Sequence, residues 1–133
     1  MSLLPHHDGS PLHVSDAAPT LGDTVVVRLR VPDGFGPVDR VVVRTTPDEE
    51  PVYVEAHCDG YADGWEWWSA GIVMANPRNR YRWVLVLQGG GVRELNQAGL
   101  TEIEALDAFD FGIIAGNTTQ EGMTDARTCE IVP

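Results

Sequence analysis

Few side chains in this sequence stand in an arrangement that supports chemistry. His6-His7-Asp8 offers two imidazoles beside a carboxylate, the donor types of a zinc-class ion. Neighbouring side chains of an extended segment point to opposite faces, however, so the triplet favours a solvated terminal turn, and no metal site is expected. Cys58 and Cys129 lie far apart, with no C-x-x-C or His-paired spacing. That argues against both a zinc site and a disulfide framework and leaves two buried free thiols as the expectation. The carboxylates Asp48, Glu49 and Glu50 fall in a loop, and Glu55 and Glu66 alternate on exposed faces; no spacing selects a general acid/base pair. Ser10, Ser15 and Ser69 lack the strand-turn-helix context of a nucleophile elbow. Gln88-Gly89-Gly90-Gly91 is a turn and not a phosphate cradle, because no helix follows and the chain contains no lysine. What remains is aromatic: Trp65 and Trp67 flank Glu66, which puts two indoles on one strand face about 7 Å apart.

The elements that position these residues read as β-strands. Residues 65–87 hold Trp65, Trp67, Trp68 and Trp83 and the two clearest strand signals. In the first arm Trp68, Ala70 and Ile72 share a face opposite Trp65, Trp67, Ser69 and Gly71. In the second, Tyr81, Trp83, Leu85 and Leu87 oppose Arg80, Arg82, Val84 and Val86. With Ala75-Asn76-Pro77-Arg78-Asn79 as turn residues, the stretch predicts a β-hairpin whose apolar face needs a second sheet over it. Residues 23–31 alternate cleanly, with Val25, Val27, Leu29 and Val31 inward; residues 38–46 do so through Val41 and Val43. Residues 12–15 predict a short edge strand, residues 52–57 and 92–95 further strands, 59–64 a turn, 102–108 one helical turn, and 110–115 the last strand. Five or six short strands with Gly/Pro punctuation predict an all-β, immunoglobulin-like antiparallel β-sandwich. One core should gather Val25, Val27, Leu29, Val41, Val43, Trp68, Ile72, Trp83 and Leu85. The domain is expected over residues 1–115, with residues 116–133 as a linker and a further strand start.

Composition narrows the partners. The 133 residues carry a formal charge of −11, and all nine basic residues are arginine. Such a field repels phosphate backbones and anionic bilayers, so no nucleic acid and no membrane partner is expected. No apolar run reaches the roughly 20 residues of a membrane span, and the first residues lack a signal-peptide pattern, which predicts a soluble, cytoplasmic protein.

The ordered segments HHDGSPLHVS, TVVVRLRVPDG, VVVRTTPDEEPVYVEA, EWWSAGIVMANPRNRYRWVLVLQGG and DAFDFGI together resemble a known domain. It is the N-terminal domain of the maltogenic amylase, neopullulanase and cyclomaltodextrinase branch of the α-amylase family, an immunoglobulin-like carbohydrate-binding module of family 34. The Trp67-Trp68-x-Ala70 and Tyr81-Arg82-Trp83 strands carry the resemblance most specifically. Residues 128–133 are similar to the family's first barrel strand, with Cys129 where an aromatic is usual. The resemblance implies a catalytic barrel elsewhere in the parent, a glycosidase acting on α-glucan, and contact with a second subunit in the full-length homodimer. The acid/base pair of such an enzyme sits at barrel strand ends. None of that fits in this chain, so it reads as non-enzymatic and without a cofactor. Two roles stay open. Trp65 and Trp67, with Tyr61 from the preceding loop and Glu66 and Asp63 as acceptors for hydroxyl groups, form a candidate site for weak α-glucan binding. Alternatively, the same aromatic face packs on the barrel or on another subunit and binds no sugar.

Overall fold

The protein is described here by a computed structural model covering residues 4–16, 18–47 and 50–116. The expected linker and strand start at residues 117–133 lie outside the described residues, as does Cys129. Nine strands are present among those described: β1 (Thr24–Pro32), β2 (Val38–Thr45), β3 (Val52–Glu55), β4 (His57–Ala62), β5 (Trp65–Val73), β6 (Arg78–Leu87), β7 (Val92–Asn96), β8 (Gly99–Thr101) and β9 (Phe111–Ile114). They form a three-stranded sheet, β1-β5-β4, and a six-stranded sheet in which β3-β2-β6-β7-β8 run in order and β9 also pairs with β6. All named pairings are antiparallel. This is the all-β sandwich the alternation predicts.

The core follows from period-two patterning. On β1, Val25, Val27 and Leu29 are fully buried, and their register partners on β5 are Ile72, Ala70 and Trp68. Facing them, Val41 and Val43 of β2 pair with Leu85 and Trp83 of β6. All nine residues expected in the core belong to one buried cluster. Each inward row is apolar because its neighbour across the ladder is apolar too, and a register slip of one residue would turn both rows to solvent.

Four sequence expectations are corrected. Residues 65–87 are not a hairpin: β5 pairs with β1 and β4, β6 pairs with β2, β7 and β9, and residues 74–77 carry the chain from one sheet to the other. Both arms do present an aromatic face, but the faces meet across the core instead of lying side by side in one sheet. The supposed turn at residues 59–64 is mostly strand; β4 continues to Ala62, and only Asp63 (φ 55°) and Gly64 (φ 86°) turn. Cys58 is exposed and free, because β4 is an edge strand with a bulge between Cys58 and Gly60 and none of the described residues covers its outer side. The helical turn expected at 102–108 reduces to a 3-10 turn at Asp107–Phe109. The glycine run behaves as read: Gly90 N–H donates to Leu87 O at 3.0 Å, closing the β6–β7 hairpin.

Arg82 departs from its expected outward position. Its guanidinium is fully buried under residues 102–110, 2.9 Å from both Glu94 and Asp110, bonded also to Asp107, and donating to Ala105 O at 2.8 Å. Burial works against its charge, but these acceptors outweigh that and raise its pKa further.

Candidate functional site

Trp65 and Trp67 do share the outer face of the three-stranded sheet, both half-buried. Each is held differently. The register sets Trp67 opposite Arg30 on β1 and Gly60 on β4. Gly60 adopts φ 130°, a conformation favouring glycine at the bulge, and it leaves the flank of the indole uncovered. The result is an open groove of about 640 Å³ whose walls include Leu12, Arg28, Asp59, Tyr61, Trp67 and Ser69. Trp65 lies outside that lining, and one face of its ring is taken by the Arg30 guanidinium, 4.4 Å from the ring centroid.

The polar residues expected beside the tryptophans divide. Tyr61, 63 % exposed, donates its hydroxyl to Asp33 and borders both the groove and a neighbouring hollow of about 280 Å³. The bond to Asp33 raises the phenol pKa. Glu66 alternates to the core side of β5, where it accepts the Trp68 Nε1–H at 2.9 Å and lines the second hollow with Asp33 and Gln88. Asp63 sits in the β4–β5 turn and borders neither. The structure therefore brings Trp67 and Tyr61 together, with Arg28 and Asp59, and sets Trp65, Glu66 and Asp63 around them.

The N-terminal segment is the largest addition to the sequence reading. Instead of a solvated tail, it lies along the free edge of β1: His6 exchanges backbone bonds with Arg30 at 2.9 and 3.1 Å, and Arg28 N–H donates to His13 O at 2.8 Å. His7 is buried, 6 % exposed, against Tyr81, Trp83 and Phe111. Its Nδ1 is 2.6 Å from Arg28 O, which can only accept, so Nδ1 carries the proton and Nε2 accepts from the Tyr81 hydroxyl at 2.7 Å. Burial lowers its pKa to about 4.

His6 and Asp8 point the same way, with His6 Nε2 2.8 Å from Asp8 Oδ2; the other oxygen, Oδ1, lies 3.0 Å from Nδ1 of His13. Burial lowers the His13 pKa against the opposing pull of Asp8. The His13 ring in turn rests against Trp67, centroids 5.5 Å apart, and so backs the groove. Sequence reasoning weighed only the adjacent positions 6–8; the usable signal was the two-residue spacing of His6 and Asp8, which puts both on one face of an extended chain.

No family model matches the chain, and no curated protein does. Solved structures do. A cyclomaltodextrinase superposes with TM-score 0.69 at 17 % identity, over 86 % of this chain and 19 % of its own. The type III pullulan hydrolase from Thermococcus kodakarensis gives 0.55 at 15 %, over 82 % of this chain and 16 % of its own. Protein lmo2446 from Listeria monocytogenes EGD-e, solved in complex with alpha-D-glucose, beta-D-glucose, magnesium and calcium, gives 0.59 at 16 %, over 84 % and 10 %. The chain thus spans less than a fifth of each of these three proteins. At such identities the likeness establishes the fold.

Proposed function

We propose that the chain is a non-catalytic accessory domain of an α-glucan-acting glycoside hydrolase, packing beside the catalytic barrel and positioning glucan along the Trp67 groove. The observation carrying this reading is the fold likeness to a small part of two glycan-acting enzymes, one named for cyclomaltodextrin and one for pullulan. The groove supports it chemically. Trp67 offers an apolar ring face for a glucose unit, while Asp59 and Arg28 offer an acceptor and donors for its hydroxyls. Trp65, Glu66 and Asp63 lie outside the groove lining and serve as outer contacts only for a glucan long enough to extend past Trp67. An open groove with one or two stacking contacts must offset the loss of ligand freedom, so dissociation constants on the order of 0.1 to 10 mM are expected.

Titration with maltoheptaose or β-cyclodextrin, followed by tryptophan fluorescence, tests this. The wild type should respond over that range and Trp67→Ala should lose most of the response. An unresponsive wild type at tens of millimolar sugar leaves a docking domain that binds no sugar. The exposed Ile103, Leu106 and Phe109, at 76 %, 68 % and 47 % exposure, are where an adjoining domain would then be sought.

A further inference from the structure

We propose that His6, Asp8 and His13 form a binding site for a divalent transition metal of the zinc class, with two imidazole nitrogens and one carboxylate as protein ligands. The donor atoms all lie within 4.8 Å of one another. Two ligands each about 2.1 Å from an ion, at tetrahedral or octahedral angles, stand roughly 3.0–3.4 Å apart. The observed separations, 2.8 Å from His6 Nε2 to Asp8 Oδ2 and 3.0 Å from His13 Nδ1 to Asp8 Oδ1, run to the two different oxygens of one carboxylate, so Asp8 faces each imidazole with one oxygen and can meet an ion between them with both. The gap between the imidazoles closes by rotation of His6, whose side chain is 41 % exposed and gives up its hydrogen bond to Asp8 in turning, whereas His13 at 2 % is fixed.

The backbone holds the set in place without an ion. His6 is anchored on Arg30 and His13 on Arg28, two positions apart on β1. Asp8 Oδ1 accepts the Ser10 N–H at 2.9 Å, and the His13 and Val14 N–H groups both donate to Ser10 O at 2.9 Å, which winds the connecting loop into a turn. Among the described residues the buried His13 Nε2 has no hydrogen-bond partner, so the ring directs its polar contacts through Nδ1, at Asp8 and at Ser10 Oγ 3.1 Å away.

Ionised Asp8 can only accept, so His6 Nε2 and His13 Nδ1 hold the protons of the two bridges; on binding each neutral ring keeps its proton on the other nitrogen, the metal takes the two freed lone pairs and the carboxylate, and the His13 Nε2–H finds no acceptor among the described residues. His6 and Asp8 also border a groove of about 470 Å³, which leaves the remaining coordination positions to water. Two nitrogens and one carboxylate suit Zn²⁺, Co²⁺ or Ni²⁺; Ca²⁺ and Mg²⁺ prefer an all-oxygen shell. The positive charge of Arg30 acts on His13 and weakens the site, so micromolar affinity is expected.

The test titrates ZnCl₂ into the Cys58→Ser chain by calorimetry, with excess Ca²⁺ present to occupy surface carboxylates. Cys58→Ser removes an exposed thiol adjacent to the exposed His57, the one competing soft site among the described residues. One equivalent should bind in the micromolar range, raising the melting temperature and perturbing Trp67 fluorescence through His13. His6→Ala, or the isosteric Asp8→Asn, should weaken binding by about tenfold or more while leaving the circular dichroism unchanged; His57→Ala should not. Co²⁺ should give d–d bands without a thiolate charge-transfer band. Zinc uptake unchanged in both His6→Ala and Asp8→Asn, or lost in His57→Ala, overturns the proposal. So does no uptake by the Cys58→Ser chain at about 0.1 mM zinc.

Discussion

His7 shows how one residue ties the terminus to the core and sets a pH dependence. Its ring fills the opening between the two sheets beside Trp83 and Phe111, where both nitrogens of the neutral ring are hydrogen-bonded and burial opposes the charged form. Its pKa is about 4 in the folded protein and near 6.5 in the unfolded chain. Between those values the unfolded state binds the extra proton, so stability falls as pH drops from 6.5 towards 4 and this contribution levels off below. The shift corresponds to a loss on the order of 3 kcal/mol. Urea midpoints measured across this window should decline in the wild type and decline less steeply in His7→Gln, the remaining slope coming from His13, whose pKa burial also lowers. Asp8, whose pKa is held down by Ser10 and His6 against its burial, adds a separate loss only below the ordinary carboxylate range. Arg82 is the opposite case, a permanent charge fully enclosed. Removing it strands Asp110, itself 9 % exposed, and Glu94, so Arg82→Ala should cost about 3–5 kcal/mol. A urea midpoint displaced to match, at unchanged slope, is the check. Lysine should rescue little, because an ammonium cannot reproduce the forked geometry that reaches Glu94, Asp107 and Asp110 together.

At the level of strands, the inward rows were legible because period-two alternation depends on burial alone: Val25, Val27 and Leu29 read as core and are core. Pairing was not legible. The Trp65-to-Leu87 stretch has two amphipathic arms and a turn, which fits a hairpin within one sheet and an arch between two sheets equally well. Sequence spacing cannot separate them; the choice lies in whether β1 and β2 outcompete each arm's neighbour, and the observed registers are Leu29 with Trp68 and Val43 with Trp83. Nuclear Overhauser contacts between the backbones of those pairs, with no β5–β6 backbone contacts, are therefore expected. For the candidate site, alternation placed Trp65 and Trp67 on one face. It could not show Arg30 covering Trp65, nor Glu66 turning to Trp68, since both depend on the neighbouring strands and on rotamers. Arg82 was misplaced for a related reason: the outer face of β6 is covered by residues 102–110, a loop whose sequence signals only one helical turn and gives no sign of what it packs on. Trp83, at 0 % exposure, is the residue on which the larger sheet closes, and Trp83→Ala should cost about 3–5 kcal/mol by equilibrium unfolding. Cys58→Ser, on the exposed edge strand β4, should change stability by no more than about 0.5 kcal/mol.

For the molecule as a whole, the open question is whether copies associate through unpaired sheet edges; among the described strands β3, β4 and β8 end their sheets, β8 is only three residues long, and β3 and β4 offer the longer edges. Exposed strand edges invite pairing, and β3 adds exposed Val52 and Tyr53, at 45 % and 61 %. Against this, β3 is four residues long, and β4 is interrupted by its bulge at Cys58 and Gly60, so neither offers a long regular ladder. Every copy also carries a net charge of −11. At an ionic strength of 0.15 M charges are screened over about 8 Å, a distance at which two docking surfaces still repel. The chain is therefore expected to sediment as a monomer at micromolar concentration. Because the barrier is electrostatic and the edges themselves are short, raising salt to about 0.5 M should increase self-association only weakly. A tight dimer at micromolar concentration and low salt would mean that the apolar surface at Val52 and Tyr53 outweighs the charge, and would make this edge an interface between copies.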